Sequence, residues 1–263
     1  MRHKAWRMLL LALASAAAMA PGLAQAGPAE DKLIACMRDN IPKTLRIQEF
    51  DLTATDRAGA ARLLRGRLFA KREEGKLKAM LRLTSPADVD GSSYLMLEGE
   101  KLDQMYVFLP ALNKVRRING GSGDGPLFGT DLSYADIKQI SNAFSGSSPT
   151  LEGSEKIDGR TVQRISVTPH AESGSRYRRI RAWVDETSCV ALKAEFMEGE
   201  TVRKRLASPA ASLTKSGAYW YAAEATMSDL KEGSRTRLKV TGVKSGEDVA
   251  NRYFDSRNFY VGN

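Results

Sequence analysis

Period-two alternation of apolar and polar residues recurs along most of this 263-residue chain and confines it to antiparallel β structure. From Arg62 to Lys71, Leu64, Gly66, Leu68 and Ala70 share one face, while Arg65, Arg67 and Lys71 share the other. After Glu73-Glu74-Gly75, Leu77, Ala79, Leu81 and Leu83 alternate with Lys76, Lys78, Arg82 and Thr84. Strands of this kind bury one face and wet the other, and a short Gly-containing turn between them makes a hairpin. The second half repeats the pattern. Ile180, Ala182 and Val184 alternate with Arg179, Arg181 and Trp183; Val190, Leu192, Ala194 and Phe196 alternate with Lys193 and Glu195. Glu198-Gly199-Glu200 reads as a hairpin turn, and Trp220 to Asp229 and Arg235 to Lys244 read as a last pair across Lys231-Glu232-Gly233. The expectation is a mainly β chain of roughly ten or eleven strands in one twisted, meandering sheet. No Pro/Ser-rich linker or exact repeat divides it, so residues 27–263 read as a single domain.

A large sheet with one apolar face has to cover that face. Two or three helices are available: 29–40, where Leu33, Cys36, Met37 and Ile41 form a stripe before Pro42 stops it; 133–142; and a turn near 249–253. These are too few to fill the space above the sheet, so an apolar hollow partly lidded by helices is expected, with a tightly packed core as the alternative. Strand parity nominates Leu64, Leu68, Leu77, Leu81, Leu83, Phe108, Trp183 and Phe196 as lining residues, with Tyr134 and Ile137 on the lid side.

The amino terminus carries a different signal. Arg2, Lys4 and Arg7 precede an apolar run from Met8 to Ala20, and Ala24-Gln25-Ala26 stands before Gly27: a secretory signal peptide, residues 1–26, with cleavage after Ala26. The run is shorter than the roughly 20 residues a membrane span needs. Removing it takes the formal net charge from +9 to +6. The basic residues are spread along strands rather than blocked. That suits a solvated strand face or attraction to anionic lipid headgroups; a nucleic-acid partner is not expected in an exported protein. Cys36 and Cys189 are the two cysteines, and an oxidising setting favours pairing them. Leu33-Ile34-Ala35-Cys36 also has the local look of a lipobox, which would make Cys36 a lipid-anchored terminus. Glu30, Asp31 and Lys32 separate it from the apolar run, which argues against that reading.

The stretch from Met105 to Phe144 is the least ordinary. Met105, Val107 and Leu109 point one way and Tyr106 and Phe108 the other, so this strand is apolar on both faces until Pro110 ends its pairing. Lys114-Val115-Arg116-Arg117-Ile118 is a short basic strand. Arg116 and Arg117 have three candidate roles: surface charge, ion pairing to Asp131 or Asp136, or contact with an anionic headgroup at a cavity rim. Gly120-Gly121-Ser122-Gly123-Asp124-Gly125 lacks the Lys-Ser/Thr ending of a phosphate-binding loop and reads as a flexible connection. Ser133-Tyr134-Ala135-Asp136 fits a helix-capping box with Asp in place of the usual Glu, and Tyr134, Ile137, Ile140 and Phe144 follow on one stripe. Such a helix suits either a fixed plug or a movable lid. Nothing here supplies catalysis. The chain beyond the leader has one histidine, His170, and no nucleophile-elbow, zinc-protease, paired-cysteine or acidic metal-site motif. No enzyme activity, cofactor or metal is expected.

Three segments together resemble a known family: Met105 to Pro110, Lys114 to Ile118, and Phe128-Gly129-Thr130-Asp131-Leu132-Ser133-Tyr134-Ala135-Asp136. They are similar to the LolA-like outer-membrane lipoprotein-sorting proteins, and more closely to the branch found beside transporters of the RND superfamily. The resemblance extends in length and strand order over nearly all of residues 27–263. It implies the incomplete antiparallel β-barrel of LolA- and LolB-like proteins, closed by helices, with acyl chains held in an apolar cavity. It implies a monomeric periplasmic carrier that takes acylated lipid or lipoprotein from an inner-membrane transporter, touches membranes transiently and delivers towards the outer membrane. A non-carrying accessory subunit of an RND-type transporter is the alternative it leaves open. The family motif defines no catalytic residues.

Overall fold

A computed structural model of the chain describes residues 28–100, 103–119, 123–141, 147–170, 175–247 and 251–261, and the expected signal peptide lies outside them. The chain begins with helix α1 (Pro28–Asp39), followed by β1 (Leu45–Thr55), β2 (Ala61–Glu73), β3 (Lys76–Ser85), β4 (Ser93–Leu97), β5 (Gln104–Leu109) and β6 (Lys114–Ile118). Helix α2 (Tyr134–Ser141) leads to β7 (Ser147–Ile157), β8 (Arg160–Thr168), β9 (Arg179–Asp185), β10 (Ala191–Glu198) and β11 (Thr201–Ala207). Then come β12 (Leu213–Ser216), β13 (Tyr219–Ala222), β14 (Glu224–Asp229), β15 (Ser234–Glu247) and a 3-10 turn at Asn251–Phe254.

Thirteen strands form one antiparallel sheet in the order β6-β5-β4-β3-β2-β1-β15-β14-β11-β10-β9-β8-β7. The sheet is not closed: β6 and β7 are its two edges. Each half is a meander, because hairpin turns return the chain beside the strand just made. Between β2 and β3, Glu74 and Gly75 sit at φ 51° and 77°, the left-handed pair whose twist matches the flanking strands. The strand count exceeds the expected ten or eleven. One reason is that Trp220–Asp229, expected as a single strand, breaks at Ala223. Its first part leaves the main sheet to pair with β12 as a separate two-stranded hairpin.

Alternate side chains sort into two faces. On the inner face, Phe50 and Leu52 of β1, Leu64 of β2, Leu77, Ala79, Leu81 and Leu83 of β3, Tyr94 and Met96 of β4 and Val107 of β5 join the large core. This face is covered by α1, α2, the 127–132 turn and the β12–β13 hairpin. On the outer face, Leu45, Phe69, Met80, Leu95 and Phe108 form a second cluster under the C-terminal segment. There Tyr253 stacks on Phe69 at 4.4 Å and Tyr260 on Phe108 at 4.0 Å. A third cluster, Val162, Trp183 and Leu192, covers the outer face of β8–β10.

Two details fix how tightly the inner layer sits. Phe50 lies flat across β2 because Gly66 opposite it has no side chain; a Cβ there would stand 2.5 Å from the Arg82 carbonyl oxygen and 2.7 Å from the Phe50 ring. Cys36 of α1 is bonded to Cys189 ahead of β10, with their Cα atoms 5.8 Å apart and a sequence separation of 153. The bond also removes the lipobox reading, since the Cys36 sulfur is committed to Cys189.

Gly66→Ala should destabilise the protein by about 1–3 kcal/mol, because neither neighbour can yield without moving the ladder; urea denaturation of both proteins measures it. Replacing Cys36 and Cys189 by Ser should cost about 2–5 kcal/mol in the same assay, the range for losing a native disulfide that closes a long loop.

Candidate functional site

The connection from β6 to β7 has to carry the chain from one edge of the sheet to the other, and its anchoring decides what remains above the inner face. It starts with a tight turn. Phe128 and Gly129 have φ of 52° and 76°, Thr130 N–H donates to the Leu127 carbonyl at 3.1 Å, and the Thr130 hydroxyl donates to the same oxygen at 2.8 Å. A bulky residue such as Phe128 rarely holds a positive φ, and it does so here because the turn is bonded across its base: Leu127 N–H donates to the Leu132 carbonyl at 2.7 Å.

Asp131 then bonds to mid-sheet. Its carboxylate accepts from the hydroxyls of Ser234 and Thr236 on β15, the latter at 2.7 Å, and its N–H donates to Thr236 Oγ1 at 2.9 Å. Ser133 and Asp136 form the expected capping box: Asp136 N–H donates to Ser133 Oγ at 3.0 Å, and Ser133 N–H to Asp136 Oδ2 at 2.8 Å. Asp136 is fully buried and accepts two further bonds, from Lys204 Nζ of β11 at 2.7 Å and from the Tyr177 hydroxyl at 2.9 Å. Lys204 also donates to the Asp131 carbonyl at 2.7 Å. Burial, and then the adjacent carboxylate, push the Tyr177 phenol well above its ordinary range, so it stays protonated and donating. The amino end of α2 is therefore bolted to β11 and β15. It is a fixed plug there.

This clamp also answers the question of Arg116 and Arg117. Asp131 and Asp136 have other partners, so of the three candidate roles for the two arginines, ion pairing to these acids is removed. Both are exposed on edge strand β6, Arg116 on the face of Ile118 and Arg117 on that of Val115. No β6 residue reaches the cavity described next.

Between the plug and the sheet lies a cavity of about 300 Å³. Its floor is the inner face of β1–β3 and of β11, β14 and β15. Met37 of α1, Ile137 and Ile140 of α2, Leu127 and Leu132 of the turn, and Trp220 and Tyr221 of the hairpin close it. One end is held by the disulfide and by Asn40, whose Nδ2 donates to the Ser188 carbonyl at 2.8 Å while its Oδ1 accepts from Trp220 N–H at 2.9 Å. Most of the lining is aliphatic; of the polar side chains, Asn40, Arg46, Gln48 and Ser208 lie towards that end, and Thr236 lies on the side of Asp131.

Among the nominated lining residues, Leu68, Leu77, Leu81 and Ile137 stand on the cavity wall. Leu64, Leu83, Phe196 and Tyr134 belong to the same inner core away from the void, with Tyr134 against Tyr94 at 5.1 Å and Phe196 against Tyr177 at 5.2 Å. Phe108 and Trp183 are corrected: both point to the outer face. Each had the parity opposite to its aliphatic neighbours, and the bulk that nominated it covers the other side. Trp183 packs there under Lys193, whose Nζ lies 3.9 Å from the ring centre. Phe144 lies outside the described residues. Sequence reasoning missed Arg46, Gln48, Phe50 and Leu52 of β1, along with the Asp136–Lys204–Tyr177 cluster.

Among the described residues no cluster of three His, Cys, Asp or Glu side chains is placed to hold a metal, and no helix is long and apolar enough to cross a membrane. A family model whose description reads "Uncharacterized protein" matches residues 75–260, more than half of the chain. The chain belongs to that family. No curated protein matches its sequence. Solved structures do match its fold. A DUF1329 family protein from Desulfovibrio piger superposes with a TM-score of 0.79 at 23% identity, over 88% of this chain and 98% of that one. A putative outer membrane lipoprotein-sorting protein domain from Vibrio parahaemolyticus gives 0.77 at 20%, over 87% and 97%. A LolA superfamily protein from Nitrosomonas europaea gives 0.67 at 18%, over 86% and 97%. The fold is LolA-like, as the central motif implied.

Replacing Asp136 by Ala leaves Lys204 buried without its carboxylate and should cost roughly 3–5 kcal/mol. Amide exchange across residues 127–141 should accelerate more than exchange in β1–β3, which localises the loss to the clamp.

Proposed function

We propose that this protein is a periplasmic carrier whose cavity holds the acyl chains of a lipid or lipoprotein and moves them through water from the inner towards the outer membrane. The observation that carries this reading is the cavity itself. About 300 Å³ of space lined mainly by Leu, Ile, Met, Phe and Ala persists although α1, α2 and a hairpin cover the inner face. Apolar side chains around a void lose contacts they would make in a filled core, so a cavity of this size and lining suits a protein built to take in an apolar guest. The LolA-like fold and the lipoprotein-sorting name of the Vibrio parahaemolyticus structure support the same reading. The amino-terminal export signal supports a periplasmic location. On this proposal the protein is a monomer without enzymatic activity. Its donor is an inner-membrane transporter, of the RND class that the sequence resemblance points to, and exposed Arg116 and Arg117 are available for that partner or for an anionic membrane surface.

The test is lipid extraction and uptake. Purified protein should yield acyl lipid on organic extraction, and the stripped protein should take up a fluorescent uncharged diacylglycerol. Ala79 is 2% exposed on the cavity floor; Ala79→Trp should weaken uptake about tenfold or more by occupying the guest's space. A wild-type protein that neither copurifies with acyl chains nor takes them up would sink the carrier reading.

A further inference from the structure

The inner face of β1 changes character along its length. Arg46, Gln48, Phe50 and Leu52 point the same way and all line the cavity, so one strand face passes from cation to amide to ring to aliphatic chain over about 20 Å at ~3.3 Å per residue. Arg46 is the end that needs an explanation. It is 6% exposed, and its Nε and Nη2 are buried with no hydrogen-bond partner. Four cationic side chains are buried among the described residues. Three face carboxylates: Lys204 lies 2.7 Å from Asp136, Arg203 2.7 Å from Asp229, and Arg72 3.4 Å from Glu98. Arg46 instead lies over the rings of Tyr219 and Tyr221, 5.5 and 5.9 Å from their centres. Those rings attract its charge but leave these N–H groups unused. Its cross-strand neighbours are small, Ala70 on β2 and Ser245 on β15, which keeps space open beside it. Burial lowers its pKa from the usual arginine value, with only the two tyrosines working against that.

A buried guanidinium with two unsatisfied nitrogens and no carboxylate partner, at the more polar end of a mainly apolar cavity, is a receptor for an anion joined to an apolar body. We propose that the guest is an anionic amphiphile, with a phosphate or carboxylate head seated on Arg46 beside Gln48 and its acyl chain running along β1 past Phe50 and Leu52. This rests on the carrier reading and narrows it. Guanidinium presents a planar fork of donors that matches either anion, whereas an uncharged acylglyceryl head leaves the same N–H groups unsatisfied.

The experiment uses stripped wild-type protein and four ligands in competition binding: dodecyl phosphate, dodecanoate, uncharged monolauroylglycerol and inorganic phosphate. The two anionic amphiphiles should bind roughly tenfold to a hundredfold more tightly than the uncharged one, the range expected for charge-assisted hydrogen bonds to a buried cation. Inorganic phosphate should not displace them at matched concentration. In Arg46→Gln the ratio of anionic to uncharged affinity should collapse towards one, and Arg46→Lys should keep part of it. Equal binding of the charged and uncharged amphiphiles by wild type would overturn the anionic head while leaving the carrier standing. Failure of all three amphiphiles to bind would remove both. Displacement by inorganic phosphate alone would overturn a lipid guest in favour of a soluble anion. Because the headgroup comparison is made on the wild type, it holds even if a variant folds poorly.

Discussion

The carboxylate of Asp136 is the point on which the inner half of this structure hangs. A charged group taken fully out of water is tolerated only when donors replace the water it loses. Here Lys204, Tyr177 and the Ser133 amide all do so at 2.7–2.9 Å. Each donor belongs to a different part of the chain: the helix cap, β11 and the segment ahead of β9. Satisfying one buried charge therefore fixes where the edge-to-edge connection crosses the sheet. Asp131 repeats the device a turn earlier against β15. Lys204 spans the two by also holding the Asp131 carbonyl.

With the plug pinned in this way, the geometry of the cavity follows. An eight-residue helix covers only part of a thirteen-stranded sheet. The remaining cover comes from α1, stapled through Cys36–Cys189, and from the β12–β13 hairpin, tied through Asn40. None of these elements descends far enough to fill the space over β1–β3. The void that results is bordered by parts anchored at separate points of the sheet.

Several elements were legible in the sequence because their local signal and their tertiary role coincide. The β2–β3 hairpin could be read from its alternation, since one face meets the inner core along its length, although Phe69 and Met80 are buried on the outer face under the C-terminal segment. The capping box at Ser133 and Asp136 could be read from spacing, and its reciprocal bonds formed as the spacing required. The hollow itself followed from counting helices against strands. Strand β1 escaped notice for a physical reason. Its even positions are polar at Arg46 and Gln48 and apolar at Phe50 and Leu52, while its odd positions run the other way, from Leu45 and Ile47 to Glu49 and Asp51. The alternation reverses halfway, because the outer face near Leu45 is covered by the C-terminal segment and the inner face near Arg46 is the polar end of the cavity.

By itself the sequence determined the class of fold and the shortage of material to cover it, because hydrophobic periodicity and helix count are properties of the linear chain. It also contained the FGTDLSYAD motif without saying what the two aspartates hold. Only the tertiary structure decided that Asp136 faces Lys204, 68 residues away, and that Phe108 and Trp183 look outward. It alone showed that Arg46 is buried without an acid beside it. These depend on which strands become neighbours and which face each cover element takes, and such long-range pairings leave no periodic trace in the residues that make them.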